Sequence, residues 1–493
     1  MASSDTGGSL GAILDVGKTH SRLVVVDQRG EQLVAYQRRS SSVPTPQGYL
    51  ALDSETLGEW LLETLDGLGA LKPRLRSIVP IAHGAAIATL RGDELLLPIP
   101  DYEFEGFDAA SATLAKTATA AFGSTLSPAL PRGLNAATQL AWLEENLGAT
   151  MARCDRLLPY AQYWAHWLSG VAAAEVSSLG CHTHLWNAAS GGPSELALQR
   201  GWADRLPALR RAWEPLGRMR PDLARRLGLP ADLAVHCGAH DSNACLARYL
   251  RTWPRATLVS SGTWAVLMAP GASPRGLDAR RDMLGNVSVR GDVVPTARFM
   301  AGREFKALCD GASPSDASME AVDRLLAQDV MALPGFETQG GPFGSLAGVV
   351  LRNRRALPAG SLAAQLPPDE RAALAALYCA DVTAWLLKRL NAAGPVILEG
   401  PFASNPVLCE ALAALLPEDA LLASVDDIEG TVRGGWCLTR WTDPTPTQPR
   451  VRTVGAGARA ATLRARHARW LAATQAHGAG GGAAVEPAIS VAG

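Results

Sequence analysis

Two turns far apart in the chain share one form. GAILDVG (11–17) and SRLVVVDQRG (21–30) flank Gly17-Lys18-Thr19, while RATLVSSG (255–262) and TWAVLMAPG (263–271) meet at Gly262-Thr263. In each, an apolar β-type run breaks at a glycine beside a hydroxyl, and a second β-type run returns. EQLVAYQRR (31–39) adds a third strand to the first pair. Gly17 and Gly262 stand 245 positions apart, so each heads one half of the 493 residues. Such an echo predicts two lobes, each opening on an antiparallel meander, with a cleft between them.

The remaining pattern fills in those lobes. SIVPIAHGAA (77–86) reads as a buried strand ending in a Gly loop, and LNAATQLAWLEENL (134–147) and YAQYWAHWLSG (160–170) read as helices. LAVHCGAHDSNACLARYL (233–250) predicts strand, Gly loop and helix. Helices follow at 318–328 and 368–392, then the strand PVILEG (395–400), a helix after Asn405 and a small-residue helix at 431–441. The predicted division is a disordered leader over 1–10, an N-terminal lobe over 11–252 and a C-terminal lobe over 253–442. A linker and terminal helix over 443–476 and a disordered Gly/Ala-rich tail over 477–493 complete it.

Composition excludes several function classes. Lys+Arg 46 against Asp+Glu 47 leaves a net charge of −1, so no basic field exists to hold nucleic acid or an anionic membrane. Eight scattered cysteines without a Cys-x-x-Cys pair argue against a disulfide framework or a structural zinc site. MASSDTGGSLG has neither a charged n-region nor an apolar h-region, so a reduced, cytoplasmic protein is expected.

Four clusters carry candidate chemistry. Asp15-x-Gly17-x-Thr19 at a strand end suits the terminal phosphates of ATP: glycine admits an anion to backbone N–H groups, and the Thr hydroxyl adds a donor. Asp15 can hold Mg²⁺ through water, because Mg²⁺ keeps most of its hydration shell. Lys18 would add a point charge. Gly17-Lys18-Thr19 is not a P-loop, since that motif needs glycine at position 12, which is Ala12, and leads into a helix. Gly262 and Thr263 repeat the phosphate logic, although a plain hairpin explains either turn alone.

Gly238-Ala239-His240-Asp241-Ser242 delivers a His-Asp pair to a helix start. Asp241 or Ser242 can serve there as an N-cap. Alternatively, Asp241 can act as a weak general base, which phosphoryl transfer tolerates because positioning outweighs basicity. His182-x-His184 beside Cys181 would share one face of a strand, but no third metal ligand is evident, so a substrate-side loop or simple packing is the favoured reading. The aromatic cluster at 160–167 reads as core.

Together these stretches resemble the FGGY family of carbohydrate kinases within the actin-like ATPase superfamily. LDVGKTHSRLVVVD (14–27), IAHGAA (81–86), GAHDSNACLARYL (238–250), LVSSGTWAVLM (258–268), ILEGPFASNPVLCEALAALL (397–416) and GTVRGGWCL (430–438) occur in the family's order. YWAHWLSGVAAAEVSSLGCHTHLW (163–186) is more similar to the rhamnulose and fuculose kinases than to the glycerol kinases. The resemblance implies an α/β, two-lobed ribonuclease H-like fold. Asp15, Gly17 and Thr19 then match the first phosphate motif, Gly262 and Thr263 the second, and Gly400 and Asn405 the adenosine motif. Asp241 would be the catalytic base. His83, Gly84 and Asp101 would line the sugar pocket, with His240 beside the base. Arg298 and Glu304 would approach substrate or nucleotide.

The sequence departs from the family at Glu399-Gly400-Pro401-Phe402, where a run of glycines is usual, and at Ala82, where a Gln usually precedes the His-Gly pair. The implied activity is ATP- and Mg²⁺-dependent phosphorylation of a ketose, a ketopentose or a 6-deoxyketohexose such as rhamnulose or fuculose. The expected partners are a small sugar and, at most, a second copy in a homodimer. The rival is a non-catalytic actin-like ATPase relative acting as sugar sensor or structural protein. A nicotinamide-dependent dehydrogenase lacks support, because no Gly-x-Gly-x-x-Gly follows the first strand.

Overall fold

The computed structural model describes residues 8–480 except 338, 339, 345, 359, 419 and 427. The chain forms two compact units: Met1–Thr252 with Gly285–Val294 and Asp427–Gln448, and Trp253–Leu284 with Pro295–Asp426 and Pro449–Gly493.

In the first unit, Leu10–Val16, His20–Val26 and Gln32–Arg39 form the predicted antiparallel meander. Leu10–Val16 also pairs in parallel with Leu75–Ala82, which pairs in parallel with Ala234–His236. Pro215–Arg218 closes that edge antiparallel. The central strands are apolar on both faces, as expected of a parallel sheet covered on both sides. Ile13, Leu14, Ile78, Val79 and Val235 are fully buried among them.

The second unit repeats the arrangement. Thr257–Ser261, Ala265–Met268 and, from Pro295 on, the strand Val293–Phe299 form the meander. Val396–Glu399 and Leu421–Ser424 extend it in parallel, and Val451–Thr453 ends it antiparallel. The helices Pro368–Arg389, Pro406–Leu415 and Ala460–Gly480 contribute to this unit's apolar core through Leu374, Leu377, Leu408, Leu412 and Trp470.

The compact units do not follow the predicted lobes, since Gly285–Val294, expected in the C-terminal lobe, groups with the first unit. The helix Gly430–Thr439 groups with the first unit, not with 253–442, because Gly434 and Gly435 let it lie close to Ala244 and Ile13. The terminal helix runs through Gly480, so the tail predicted from 477 begins as helix. The leader's Leu10 already belongs to a strand, while residues 1–7 and 481–493 lie outside the described residues. No helix among the described residues is long and apolar enough to cross a membrane.

Candidate active site

The first unit's site is assembled at the carboxyl ends of its parallel strands, the edge where α/β sheets bind ligands. Asp15 and Val16 lie opposite Ile81 and Ala82, and Ala239 and His240 lie opposite the same two residues from the other side. Three sequence stretches separated by scores of residues therefore end side by side: Asp15–Thr19, His83-Gly84 and His240-Asp241. Gly238 makes this possible. Its φ is +79°, and a Cβ there would lie 1.9 Å from the carbonyl oxygen of Pro80. Gln162, fully buried, donates from Nε2 to the carbonyls of Cys237 (3.1 Å) and Gly238 (3.2 Å) and fixes the irregular strand.

Asp241 begins the helix Asp241–Leu250. The cap position belongs to His240, whose side chain makes no cap bond, so the N-cap reading of Asp241 or Ser242 is corrected. Oδ1 of Asp241 accepts from the Ser242 amide and hydroxyl and lies 3.2 Å from His240 Nε2. Oδ2 has no hydrogen bond among the described residues. The side chain is 29% exposed, enough for a substrate to reach it. The His240 ring is buried against Asn243 Nδ2 (3.2 Å) and Cys181 Sγ (3.2 Å), and burial holds its pKa down, against the pull of Asp241. It stands beside Asp241 as a neutral imidazole.

Asp15 is buried, and burial pushes its carboxyl up to about 6. The Thr431 hydroxyl donates to Oδ2 at 2.8 Å and opposes that rise, Asp241 adds to it, and Arg22 opposes it. Arg22 is itself paired with Glu429. A buried carboxylate whose charging cost is raised by a neighbouring one suits a divalent cation. No cluster of three or more His, Cys, Asp or Glu among the described residues could hold a metal, so a cation at Asp15 would complete its shell with water and phosphate oxygens.

The phosphate turn is tight. The Gly17 amide donates to the His20 carbonyl at 3.0 Å, and Ser40 Oγ donates to the Gly17 carbonyl at 2.8 Å. A Cβ on Gly17 would lie 2.8 Å from the His20 carbonyl oxygen. Thr19 is exposed at the turn. Lys18 does not hang free as a point charge. Its Nζ lies 2.5 Å from Asp101 Oδ2 and 3.2 Å from Glu103 Oε2, and 5.0 Å from the centre of the Tyr102 ring. Burial pushes the Asp101 carboxyl up, but Lys18, Ser42 and the Glu103 amide outweigh it and hold it below its ordinary value. His83 is buried, packs against Tyr102 and Tyr160, and approaches the Gly84 carbonyl at 2.9 Å through Nδ1.

The second unit carries its own part. The Gly262 amide donates to the Trp264 carbonyl at 2.8 Å, and Gly262 and Thr263 are exposed. Gly302 abuts this turn; a Cβ there would lie 2.6 Å from the Gly262 carbonyl oxygen. Beside it lies a groove of about 520 Å³ whose walls include Gly262, Phe305, Ala317, Pro401, Phe402 and Asn405, with Ser315 and Ser404 as polar points. The size and mixed lining suit an adenosine-sized ligand. Asn405 Oδ1 accepts from the Leu408 amide at 2.9 Å and caps the helix Pro406–Leu415, leaving the amide end of the side chain for other contacts.

Gly400 has φ +71°, and a Cβ there would lie 2.1 Å from the Ser261 carbonyl oxygen. It therefore serves the strand ends, while its neighbours Pro401 and Phe402 form the wall. A second groove, of about 630 Å³, includes Met331, Leu351 and Ala473 and none of the predicted residues.

Several expectations change. Arg298 is tied to Asp282 at 2.7 Å and lies over Trp264, and Glu304 is buried against the Tyr378 hydroxyl. His182 and His184 both have positive φ, 55° and 58°, so they do not alternate on a strand, and His184 Nε2 lies 3.1 Å from the carbonyls of Ser127 and Pro128. Thr431, Asn243 and Gly302 are given no role from the sequence, and Cys181 is read there only as a neighbour of the His182-x-His184 pair. Thr431 and Asn243 lie in the quoted stretches GTVRGGWCL and GAHDSNACLARYL, whereas nothing local marks Gly302.

Comparison with known proteins agrees with the fold. A profile of the carbohydrate kinase FGGY C-terminal domain matches residues 254–448. The crystal structure of a carbohydrate kinase from Novosphingobium aromaticivorans superposes with a TM-score of 0.83 at 34% identity, covering 95% of this chain and 99% of that one. The ligand-bound xylulose kinase from Lactobacillus acidophilus shares the fold at TM-score 0.74 and 14% identity, over 96% of this chain and 99% of that one. The L-fuculokinase of Salmonella typhi is 27% identical over 279 residues, a match that spans 52% of this chain and 55% of that protein.

Proposed function

The chain belongs to the FGGY carbohydrate kinase family, and from that premise we propose that it transfers the γ-phosphoryl group of ATP to a sugar hydroxyl. One observation carries the proposal. Asp241, at the strand edge it shares with Asp15 and His83, has one oxygen fixed by Ser242 and the other unbonded among the described residues. Such a carboxylate is a general base held in one orientation. It takes the proton of the acceptor hydroxyl as that oxygen attacks the γ-phosphorus and the bond to the ADP leaving oxygen breaks. Neutral His240 restrains Asp241 without competing for that proton. The exposed Thr19 hydroxyl and the Gly17 turn offer donors to phosphate oxygens, and the Gly262–Thr263 turn with its groove suits the nucleotide. Mg²⁺, held through water at Asp15, would neutralise charge on those phosphates.

A ketose is the acceptor class the reading favours, a ketopentose or a 6-deoxyketohexose such as fuculose. The resemblance of 163–186 to the rhamnulose and fuculose kinases supports it, as does the likeness to an L-fuculokinase. An ADP-release assay over a panel of ketoses and polyols tests the proposal. ADP that appears only with an acceptor, and that falls about 10²–10⁴-fold in Asp241→Asn while ATP still binds, is the expected result. ATP turnover indifferent to every acceptor would favour the non-catalytic ATPase relative.

A further inference from the structure

We infer that Asn243 is a positioning residue for the proposed base: its amide fixes the tautomer of His240, and the tautomer decides whether that ring holds or repels the Asp241 carboxylate. The inference rests on the kinase reading above and deepens its account of Asp241. Asn243 is fully buried, and its Nδ2 lies 3.2 Å from His240 Nδ1. An amide nitrogen only donates, so Nδ1 must present its lone pair. A neutral imidazole then carries its proton on Nε2. The other side of the ring asks for the same tautomer. Nε2 lies 3.2 Å from Asp241 Oδ1, and an ionised carboxylate only accepts. Burial, which lowers the pKa of His240, keeps the ring from taking a second proton. Cys181 Sγ, 3.2 Å from the same Nε2, can share that proton as a weak acceptor.

A polar side chain at this place usually serves the helix itself. His240 is the cap of Asp241–Leu250, so Asn243 is the third helical residue, whose side chain commonly accepts from the cap residue's backbone amide. Here that amide donates to Ser177 Oγ at 3.4 Å instead. Asn243 Oδ1, although buried, has no hydrogen bond among the described residues. An unpaired buried acceptor costs stability, so neither capping nor packing accounts for the residue, and its contact with the ring does. With the proton on Nε2, Asp241 Oδ1 faces donors alone: the Ser242 amide, the Ser242 hydroxyl and the imidazole. Oδ2 is then the oxygen left to take the substrate proton. With the proton on Nδ1, the Nε2 lone pair would face Oδ1, push the carboxylate away and offer that proton a second acceptor beside the base.

Nitrogen NMR on the full chain labelled at histidine reads the tautomer directly, with His240 assigned by the signal that His240→Gln loses. Steady-state ADP release, with the panel ketose that the wild type turns over fastest, reads its consequence. The wild-type ring is expected to be neutral with its proton on Nε2. Asn243→Asp puts an acceptor of the same size where the donor was, in a first helical turn that favours an acidic side chain. It is expected to draw a proton onto Nδ1 and to lower kcat tenfold or more, with the KM for ATP within twofold. Asn243→Leu keeps the question answerable if Asn243→Asp fails to fold, because it fills the space and removes both the donor and the unpaired oxygen. It is expected to leave both tautomers populated and kcat severalfold lower, without a lower unfolding midpoint. A wild-type ring protonated on Nδ1 overturns the inference. So does a variant whose tautomer moves while kcat stays, or one that loses kcat with the Nε2 proton in place. A wild type that phosphorylates no sugar on the panel instead overturns the kinase reading, while the NMR still decides the tautomer.

Discussion

A methyl group on Gly84 would sit 2.9 Å from Nε2 and 3.0 Å from Cδ2 of His240, and 3.6 Å from Cys181 Sγ. The imidazole is buried, so it cannot swing into solvent to make room. Its Nε2 also lies 3.2 Å from the carboxylate of Asp241, so any shift is passed on to the proposed base. Gly84→Ala is expected to lower kcat about ten- to a hundredfold, as small misplacements at reacting groups do, with little change in ATP affinity. Kinetics and nucleotide calorimetry on the same preparation check it; a normal kcat would show that the ring has room to give. Asp241 and His240 were legible in the sequence because the pair follows a buried-strand pattern and a glycine. The ion pairs of Lys18 were not legible, because its neighbours in sequence are the phosphate turn, while its partners in space, Asp101 and Glu103, lie more than eighty residues on. Thr431 lies in the quoted stretch GTVRGGWCL, but its partner Asp15, 416 positions away, is not legible from that stretch. Thr431→Val removes the hydroxyl that opposes the rise of the Asp15 carboxyl, so that group is expected to titrate above about 6, read from its carboxyl resonance in carbon-detected NMR.

The elements themselves were easier to read than their partners. The meanders, the helices Ala136–Met151 and Tyr160–Ser169 and the strand Val396–Glu399 lie where apolar periodicity and Gly or Pro punctuation put them. Tyr160, Tyr163 and Trp164 are buried, as the core reading of that cluster expects. The helix Gly430–Thr439 was read as a helix of small residues, and small residues announce a close approach without saying to what. The structure supplies the answer. A Cβ on Gly434 would lie 2.0 Å from the carbonyl oxygen of Ala244, and one on Gly435 would lie 2.7 Å from Ile13 Cγ2. Both contacts are with backbone or core, neither of which yields cheaply. Gly434→Val forces the helix off Asp241–Leu250 and is expected to cost about 1–3 kcal/mol, typical of overpacking. Since Asp241 starts the displaced helix and Thr431 belongs to the displacing one, activity should fall with it. Thermal unfolding monitored by circular dichroism, paired with ADP release, checks both, and an unchanged midpoint would mean that the two helices separate freely.

Across the whole molecule, the two units repeat one sheet order but bury different sets of titrating groups, and their stabilities should answer pH in opposite directions. In the first unit, burial lowers the pKa of His83, His184, His236 and His240. Each takes up a proton more readily unfolded than folded, so its contribution is lost as pH falls below about 6.5. Burial also raises Asp15 to about 6 and Glu175 to about 7, which works the other way: those groups bind protons in the native state that the unfolded chain has released. Four imidazoles against two carboxyls leave the unfolded first unit with the larger proton uptake, so this unit gains stability as pH rises from about 5.5 to about 6.5. In the second unit, burial raises Glu304 to about 7, beside the Tyr378 hydroxyl. Its stabilisation is full below the unfolded carboxyl value and is lost as pH rises through about 7. The lowered acids of that unit, Asp278, Asp310 and Asp323, act only below about pH 4 and leave this window to Glu304. Hydrogen exchange read peptide by peptide at pH 5.5, 6.5 and 7.5, corrected for intrinsic rates, separates the units. Protection is expected to rise with pH in strands such as Leu75–Ala82 and to fall in strands such as Val396–Glu399. Glu304→Gln should flatten the second trend and leave the first, because the amide cannot take up or release the proton. If both units moved together, or if Glu304→Gln left the second trend intact, the buried groups named here would not be what sets the pH dependence.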